Sequence, residues 1–194
     1  MDKVELFLGR MQPPHKGHEQ IIKGMKNPYV IIVRGKGTGE DKKRNPFSAE
    51  IQKTMLNDLF PNVPVSISPD GFITGILNHL RKQGKEVTKI YAGADRIVGY
   101  ESTLAKTNEK APPEEQFHPK FSQTERVASA TEVRNALFNN DLSSFKSKMP
   151  KALWGFYGSL RNALRECFEI PSFKTWLLME DGGATTTTDN VVGK

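Results

Sequence analysis

Residues Tyr29-Val30-Ile31-Ile32-Val33 form an unbroken aromatic and β-branched run, and such a run has no polar alternate residue to turn toward water. It reads as a strand covered on both faces, the situation of strands in a parallel sheet. Val4-Glu5-Leu6-Phe7-Leu8, with one charged residue in it, has the length and composition of a buried strand as well, and Gly9 ends it. Between the two, the span from Lys16 to Met25 places Ile21, Ile22 and Met25 in helical register until Asn27-Pro28 breaks it. The chain therefore opens β–α–β. Two parallel strands need a crossover between them, which commits the molecule to a layered α/β fold.

The same alternation continues. Asn45-Pro46 reads as the start of a helix with proline in its first turn, running over about Ser48 to Leu59 with Ile51, Met55, Leu56 and Leu59 on one face. Val63 to Ile67 is predicted as a strand, Phe72 to Lys82 as a helix and Val87 to Ala92 as a strand. The stretch after Gly93-Ala94-Asp95-Arg96 shows no clear period; Pro112-Pro113 marks a turn, and Gln116 to Phe121 suits a short strand. Thr131 to Phe138 and Lys151 to Phe168 are predicted as closing helices. The fold expected is α/β, a doubly wound parallel sheet with C-terminal helices, which binds ligands at the carboxyl ends of its strands. One domain is expected over residues 1–168. Residues 169–194, ending GGATTTTDNVVGK, have few groups able to offset the entropy of ordering, so a partly disordered tail is expected.

Composition narrows the setting. With 37% hydrophobic and 26% charged residues among 194, and no apolar run near the roughly 20 residues of a membrane helix, a soluble protein without a membrane partner is expected. A single cysteine, Cys167, cannot form an internal disulfide, which fits a cytoplasmic location. The formal charge of +6 favours polyanionic partners, nucleotides and nucleic acids alike. The basic run Lys42-Lys43-Arg44, in the glycine-rich loop of residues 35–45, reads first as a solvated loop.

The chemistry concentrates in two places. Gly9-Arg10-Met11-Gln12-Pro13-Pro14-His15-Lys16-Gly17-His18 lies between the first strand and the first helix. Free backbone N–H groups at a helix N-terminus favour an anion there, and His15, His18 and Arg10 add side-chain donors, while Gly17 lets the backbone come close. A zinc site is a weaker reading, because the other histidines are only His79 and His118 and no cysteine cluster accompanies them. The second place begins at Ser129-Ala130-Thr131-Glu132, a capping box opening a helix that carries Arg134 one turn in. The Thr131 hydroxyl, the helix N-terminus and the guanidinium suit a single phosphate.

GRMQPPHKGH and SATEVR together resemble the paired signatures of the HxGH nucleotidyltransferase superfamily, most of all the archaeal-type nicotinamide mononucleotide adenylyltransferases. Residues 45–56, NPFSAEIQKTML, resemble the NPFTxGER segment that such enzymes carry between them. The resemblance implies a Rossmann-like nucleotidyltransferase fold with His15, His18 and Arg134 as catalytic residues, the histidines on the ATP phosphates and Arg134 on the β/γ end. It implies substrate contacts from Gly9, Arg10, Met11, Gln12, Gly17, Asn45, Pro46, Gly93, Asp95, Ser129 and Thr131. It also implies transfer of AMP from ATP to nicotinamide mononucleotide with Mg2+, giving NAD and pyrophosphate, and a homo-oligomer.

Some positions depart from that pattern. Met11 stands where relatives often have phenylalanine, Gly35-Lys36-Gly37-Thr38-Gly39 matches the family's Gly-Ser segment only loosely, and Gly93-Ala94-Asp95 replaces a Gly-Asn pair. Pro69-Asp70 matches a Pro-Asp pair, but the tryptophan expected downstream against the nicotinamide ring is Leu77. Two other readings stay open: a transferase of the same superfamily acting on another phosphate acceptor, and a non-catalytic nucleotide- or nucleic-acid-binding protein. The segment from Phe173 to Gly183 looks like the acidic, glycine-flanked ends of some bacteriophage proteins, so a virion-associated form belongs to the second reading. Nucleic acid is not expected as a partner of the adenylyltransferase that the resemblance implies.

Overall fold

In the computed structural model, which describes residues 1–34, 45–68, 71–124 and 129–168, five strands form one sheet. They are β1 (Asp2–Gly9), β2 (Pro28–Val33), β3 (Val65–Ser68), β4 (Lys85–Ala92) and β5 (Lys120–Gln123), in spatial order β3-β2-β1-β4-β5. Every pairing is parallel. The chain moves outward from β1 through β2 to β3, then returns to the other side of β1 with β4 and β5. That reversal is the topological switch of a doubly wound sheet, and it lies between β1 and β4.

The apolar character of β1 and β2 is explained by their two faces. Val4, Leu6 and Leu8 of β1 join Tyr29 and Ile31 of β2 in one core, packed against Ile73, Ile76, Leu77 and Leu80 of α3 (Ile73–Lys82) and Leu104 of α4 (Ala94–Asn108). Phe7, Val30 and Ile32 face the opposite way, onto Ile22 of α1 (Lys16–Lys23) and Leu56 of α2 (Ala49–Leu59). Alternate residues of a strand point to opposite faces, so a strand without polar alternates needs helices on both. A third core joins Phe47 and Met55 to Val133, Ala136 and Leu137 of α5 (Ala130–Phe138), Phe145 of α6 (Leu142–Lys148), and Leu160 and Leu164 of α7 (Tyr157–Phe168). This core ties the C-terminal helices to the sheet's second crossover.

Several sequence expectations need correction. Pro46 is outside α2: the helix starts at Ala49 with Ser48 as its N-cap, the serine oxygen accepting the Ile51 N–H at 3.2 Å. Asn45 to Phe47 are buried before that cap. The third strand starts two residues later than expected, at Val65. Residues 94–108, which showed no period, form α4; Leu104 is the one described residue of that helix that is buried, so its sequence carries little amphipathic signal. The fifth strand spans Lys120–Gln123 rather than residues 116–121, because Arg81 donates to the Gln116 carbonyl at 2.8 Å and Asn108 engages both backbone groups of Phe117. The helix read as Lys151 to Phe168 begins with a 3-10 segment, Lys151–Phe156, and α6 was not anticipated. The loop of residues 35–44, Pro69-Asp70 and the tail from residue 169 lie outside the described residues. Among the described residues, no helix is long and apolar enough to cross a membrane.

Candidate functional site

At the carboxyl ends of β1 and β4, on the switch point, lies a cavity of about 390 Å³. Its walls come from the β1–α1 turn, the β4–α4 turn and the start of α5. Of the residues singled out by the sequence, Gly9, Arg10, Met11, Gln12, His15, Gly17, His18, Gly93, Asp95, Ser129, Thr131 and Arg134 all line it. Asn45 and Pro46 do not; they are buried behind the turn, where the Cys167 thiol reaches the Pro46 carbonyl at 3.6 Å. Leu77 is also away from the cavity: it is 2% exposed, inside the α3 core, so it is not placed to stack on a ligand ring.

The two histidines act on each other through the first turn of α1. His15 is the N-cap, and its Nδ1 accepts the Gly17 N–H at 3.2 Å; His18, three residues on, accepts the His15 N–H on its own Nδ1 at 3.2 Å. The result is a capping box built from imidazoles. A ring nitrogen that accepts a hydrogen bond carries no proton, so in each neutral ring the proton is on Nε2. Burial keeps the rings neutral: it pulls His15 down to about 4, with the charge of Glu132 opposing, and holds His18 well below the usual histidine value, with the neighbouring His15 adding to the effect. The rings stack at 3.9 Å between centroids, and Phe7 braces His18 edge-on at 5.6 Å. Gly9 makes room for that brace, since a Cβ there would sit 2.8 Å from the Phe7 ring. Two neutral Nε2–H donors at one cavity wall suit an oxyanion.

Arg134 joins the two sequence motifs. Its guanidinium donates to the Gln12 carbonyl at 2.6 Å, across 122 residues of chain, and to the Thr131 hydroxyl at 3.1 Å. Ser129 and Glu132 complete the predicted capping box of α5, Ser129 accepting the Thr131 N–H and Glu132 accepting the Ser129 N–H at 3.1 Å. Lys16, inside the histidine motif, turns away and donates to the Ser147 carbonyl of α6 at 2.7 Å. It is a brace between helices rather than a phosphate donor of the cavity.

Sequence reasoning missed Arg96, Tyr100 and Thr124, all of which line the cavity. Arg96 follows directly on Gly93-Ala94-Asp95, and its position after a strand was the signal available. It faces Asp95 at 3.8 Å with 58% of its side chain exposed, a pair worth little in water. Among the described lining residues, Arg10, Arg96 and Arg134 stand against the one carboxylate of Asp95, so that part of the lining is cationic. Among the described residues, no three or more His, Cys, Asp or Glu side chains converge as a metal site.

No protein-family model matches the chain. Over 159 residues it is 23% identical to nicotinamide-nucleotide adenylyltransferase 1 of Sulfolobus acidocaldarius, an alignment covering 80% of this chain and 89% of that protein. Its structure is similar to that of TmcAL from Thermotoga maritima, crystallised with α-thio ATP, at a TM-score of 0.51 and 12% identity. That likeness covers 84% of this chain but only 56% of TmcAL, and at such identity it shows the fold alone. The sequence relative supports a place for this chain in the nucleotidyltransferase superfamily, and the structural likeness shows a shared α/β fold.

Proposed function

We propose that this protein transfers AMP from ATP to nicotinamide mononucleotide, releasing pyrophosphate and forming NAD. One observation carries the reading: Arg134 on the Gln12 carbonyl brings the two motifs to one cavity at the switch point, beside two neutral Nε2–H donors. The name of the Sulfolobus acidocaldarius relative supports the choice of acceptor.

The reaction is an in-line displacement. A phosphate oxygen of the mononucleotide forms a bond to the α-phosphorus of ATP, the bond from that phosphorus to the bridging oxygen breaks, and pyrophosphate leaves with the electron pair. The attacking oxygen is already anionic, so no general base is required. What the protein supplies is alignment and charge stabilisation. His15 and His18 donate to phosphate oxygens as negative charge grows on the leaving group, and Arg134 holds the β/γ end. Arg10 and Arg96 draw the phosphates of both nucleotides into the cavity. Magnesium would neutralise the polyphosphate, and since that ion binds through substrate phosphates with one or two carboxylates, Asp95 is the lining carboxylate suited to it.

Incubation with ATP, magnesium and nicotinamide mononucleotide should yield NAD and pyrophosphate, read by product mass. Turnover with a different phosphate acceptor and none with this one would move the protein to another transferase reaction of the superfamily. Salt-sensitive binding of random nucleic acid without any turnover would favour the binding-protein reading.

A further inference from the structure

Gln52 is fully buried in α2, on the same face as Ala49, Met55 and Leu56. A glutamine in an apolar stripe costs free energy unless its amide is satisfied. Here every polar atom of it is used: Nε2 donates to the backbone carbonyls of both Arg10 and Met11, and Oε1 accepts from Arg34 Nη1 at 3.1 Å. The same Arg34 nitrogen donates to the Phe47 carbonyl at 3.0 Å, and Phe47 is doubly bonded to the Gln12 amide, its N–H donating to Oε1 at 3.0 Å and its carbonyl accepting from Nε2 at 2.9 Å. One polar network therefore fixes residues 10, 11 and 12 in succession.

The segment it fixes is not a relaxed one. Met11 has a φ of 49°, a left-handed conformation that a non-glycine residue adopts only when its surroundings enforce it. The next carbonyl along, that of Gln12, is the acceptor for Arg134. We infer that Gln52 is a positioning residue for the phosphate clamp: by holding the Arg10 and Met11 carbonyls it aims the Gln12 carbonyl at Arg134, and so sets where the guanidinium meets the nucleotide. Arg34 and Phe47 keep Gln52 and Gln12 in register. The inference rests on the proposed binding of ATP at this cavity.

Two variants separate this role from packing. Gln52→Met keeps the volume and removes the donors; Gln52→Glu keeps the volume and the acceptor for Arg34 while removing the donors. Affinities for ATP and AMP are measured by calorimetry, with thermal denaturation alongside. A displaced clamp costs on the order of tenfold in binding or rate, and the loss should fall on ATP, whose β/γ phosphates Arg134 holds, with AMP affinity changed less than about twofold. Equal losses for ATP and AMP, or no loss in either variant, would overturn the positioning role. If one variant unfolds, the ATP-to-AMP ratio of the other decides. Wild-type protein that binds ATP yet forms no NAD would refute the acceptor assignment while leaving this ratio test intact, and wild-type protein that binds no ATP would refute both.

Discussion

At the residue scale the site is governed by two histidines kept neutral. His18→Ala removes one Nε2–H donor and leaves Phe7 and His15 to fill around it, so the fold should persist while kcat falls on the order of 100- to 1,000-fold, as for loss of one preorganised donor. Normal turnover by the variant would contradict the mechanism. His15 gives a separate, thermodynamic prediction. Its value in the fold is about 4, against 6.5 for an ordinary histidine. Between those values the unfolded chain holds the extra proton, so stability rises with pH there; the contribution is complete above 6.5 and is lost as pH falls toward 4. A shift of that size corresponds to on the order of 3 kcal/mol. His15→Asn retains an N-cap acceptor without a titrating group. Thermal denaturation across this range should therefore show a shallower acid loss in the variant than in the parent, and parallel curves would contradict the assignment.

At the element scale, the N-terminus of α5 has two jobs that one residue can separate. Ser129 caps the helix through the Thr131 N–H and lines the cavity. Ser129→Ala should lower stability by about 1 kcal/mol, a fall in Tm of roughly 2–4 °C for a chain of this size. Ser129→Asp keeps the cap but sets a carboxylate against the nucleotide's phosphates, so Tm should be retained while ATP affinity drops. Calorimetric titration beside a melting curve checks both halves; an aspartate variant with undiminished ATP affinity would remove Ser129 from the phosphate site.

At the scale of the whole molecule, the sheet and the C-terminal helices depend on each other. Phe145 of α6 is fully buried in the core that also takes Phe47 from the segment before α2 and Val133 from α5. Phe47 is in turn bonded to Gln12 of the phosphate turn. Phe145→Ala should cost about 3–5 kcal/mol by leaving a cavity, and because this core seats α5, nucleotide affinity should weaken along with the melting temperature. A variant that lost stability with unchanged ATP affinity at low temperature would uncouple the C-terminal layer from the site.

The parts of this molecule legible in its sequence are those set by local pattern. Strands without polar alternates, such as Tyr29 to Val33, demand helices on both faces, and Ser129 with Glu132 announces a helix start from neighbours alone. His15, His18 and Arg134 were likewise visible through motif and order. The sequence pattern did not reveal α4, which buries little, or that Pro46 would lie before its helix rather than in it. Leu77, at the place where the resemblance expects a ring-stacking tryptophan, is core, because which face of α3 meets the sheet is settled by packing. Nothing in the local pattern marks Gln52 as part of the site, and only the fold brings the Arg10 and Met11 carbonyls to it across 42 and 41 residues. Local periodicity determined the layers, and neighbouring capping residues such as Ser129 and Glu132 marked a helix start. The tertiary structure decided the burial that keeps His15 and His18 neutral, the route of Arg134 to Gln12 and the network beneath it, since burial and hydrogen bonds between distant segments exist only once the chain has closed around them.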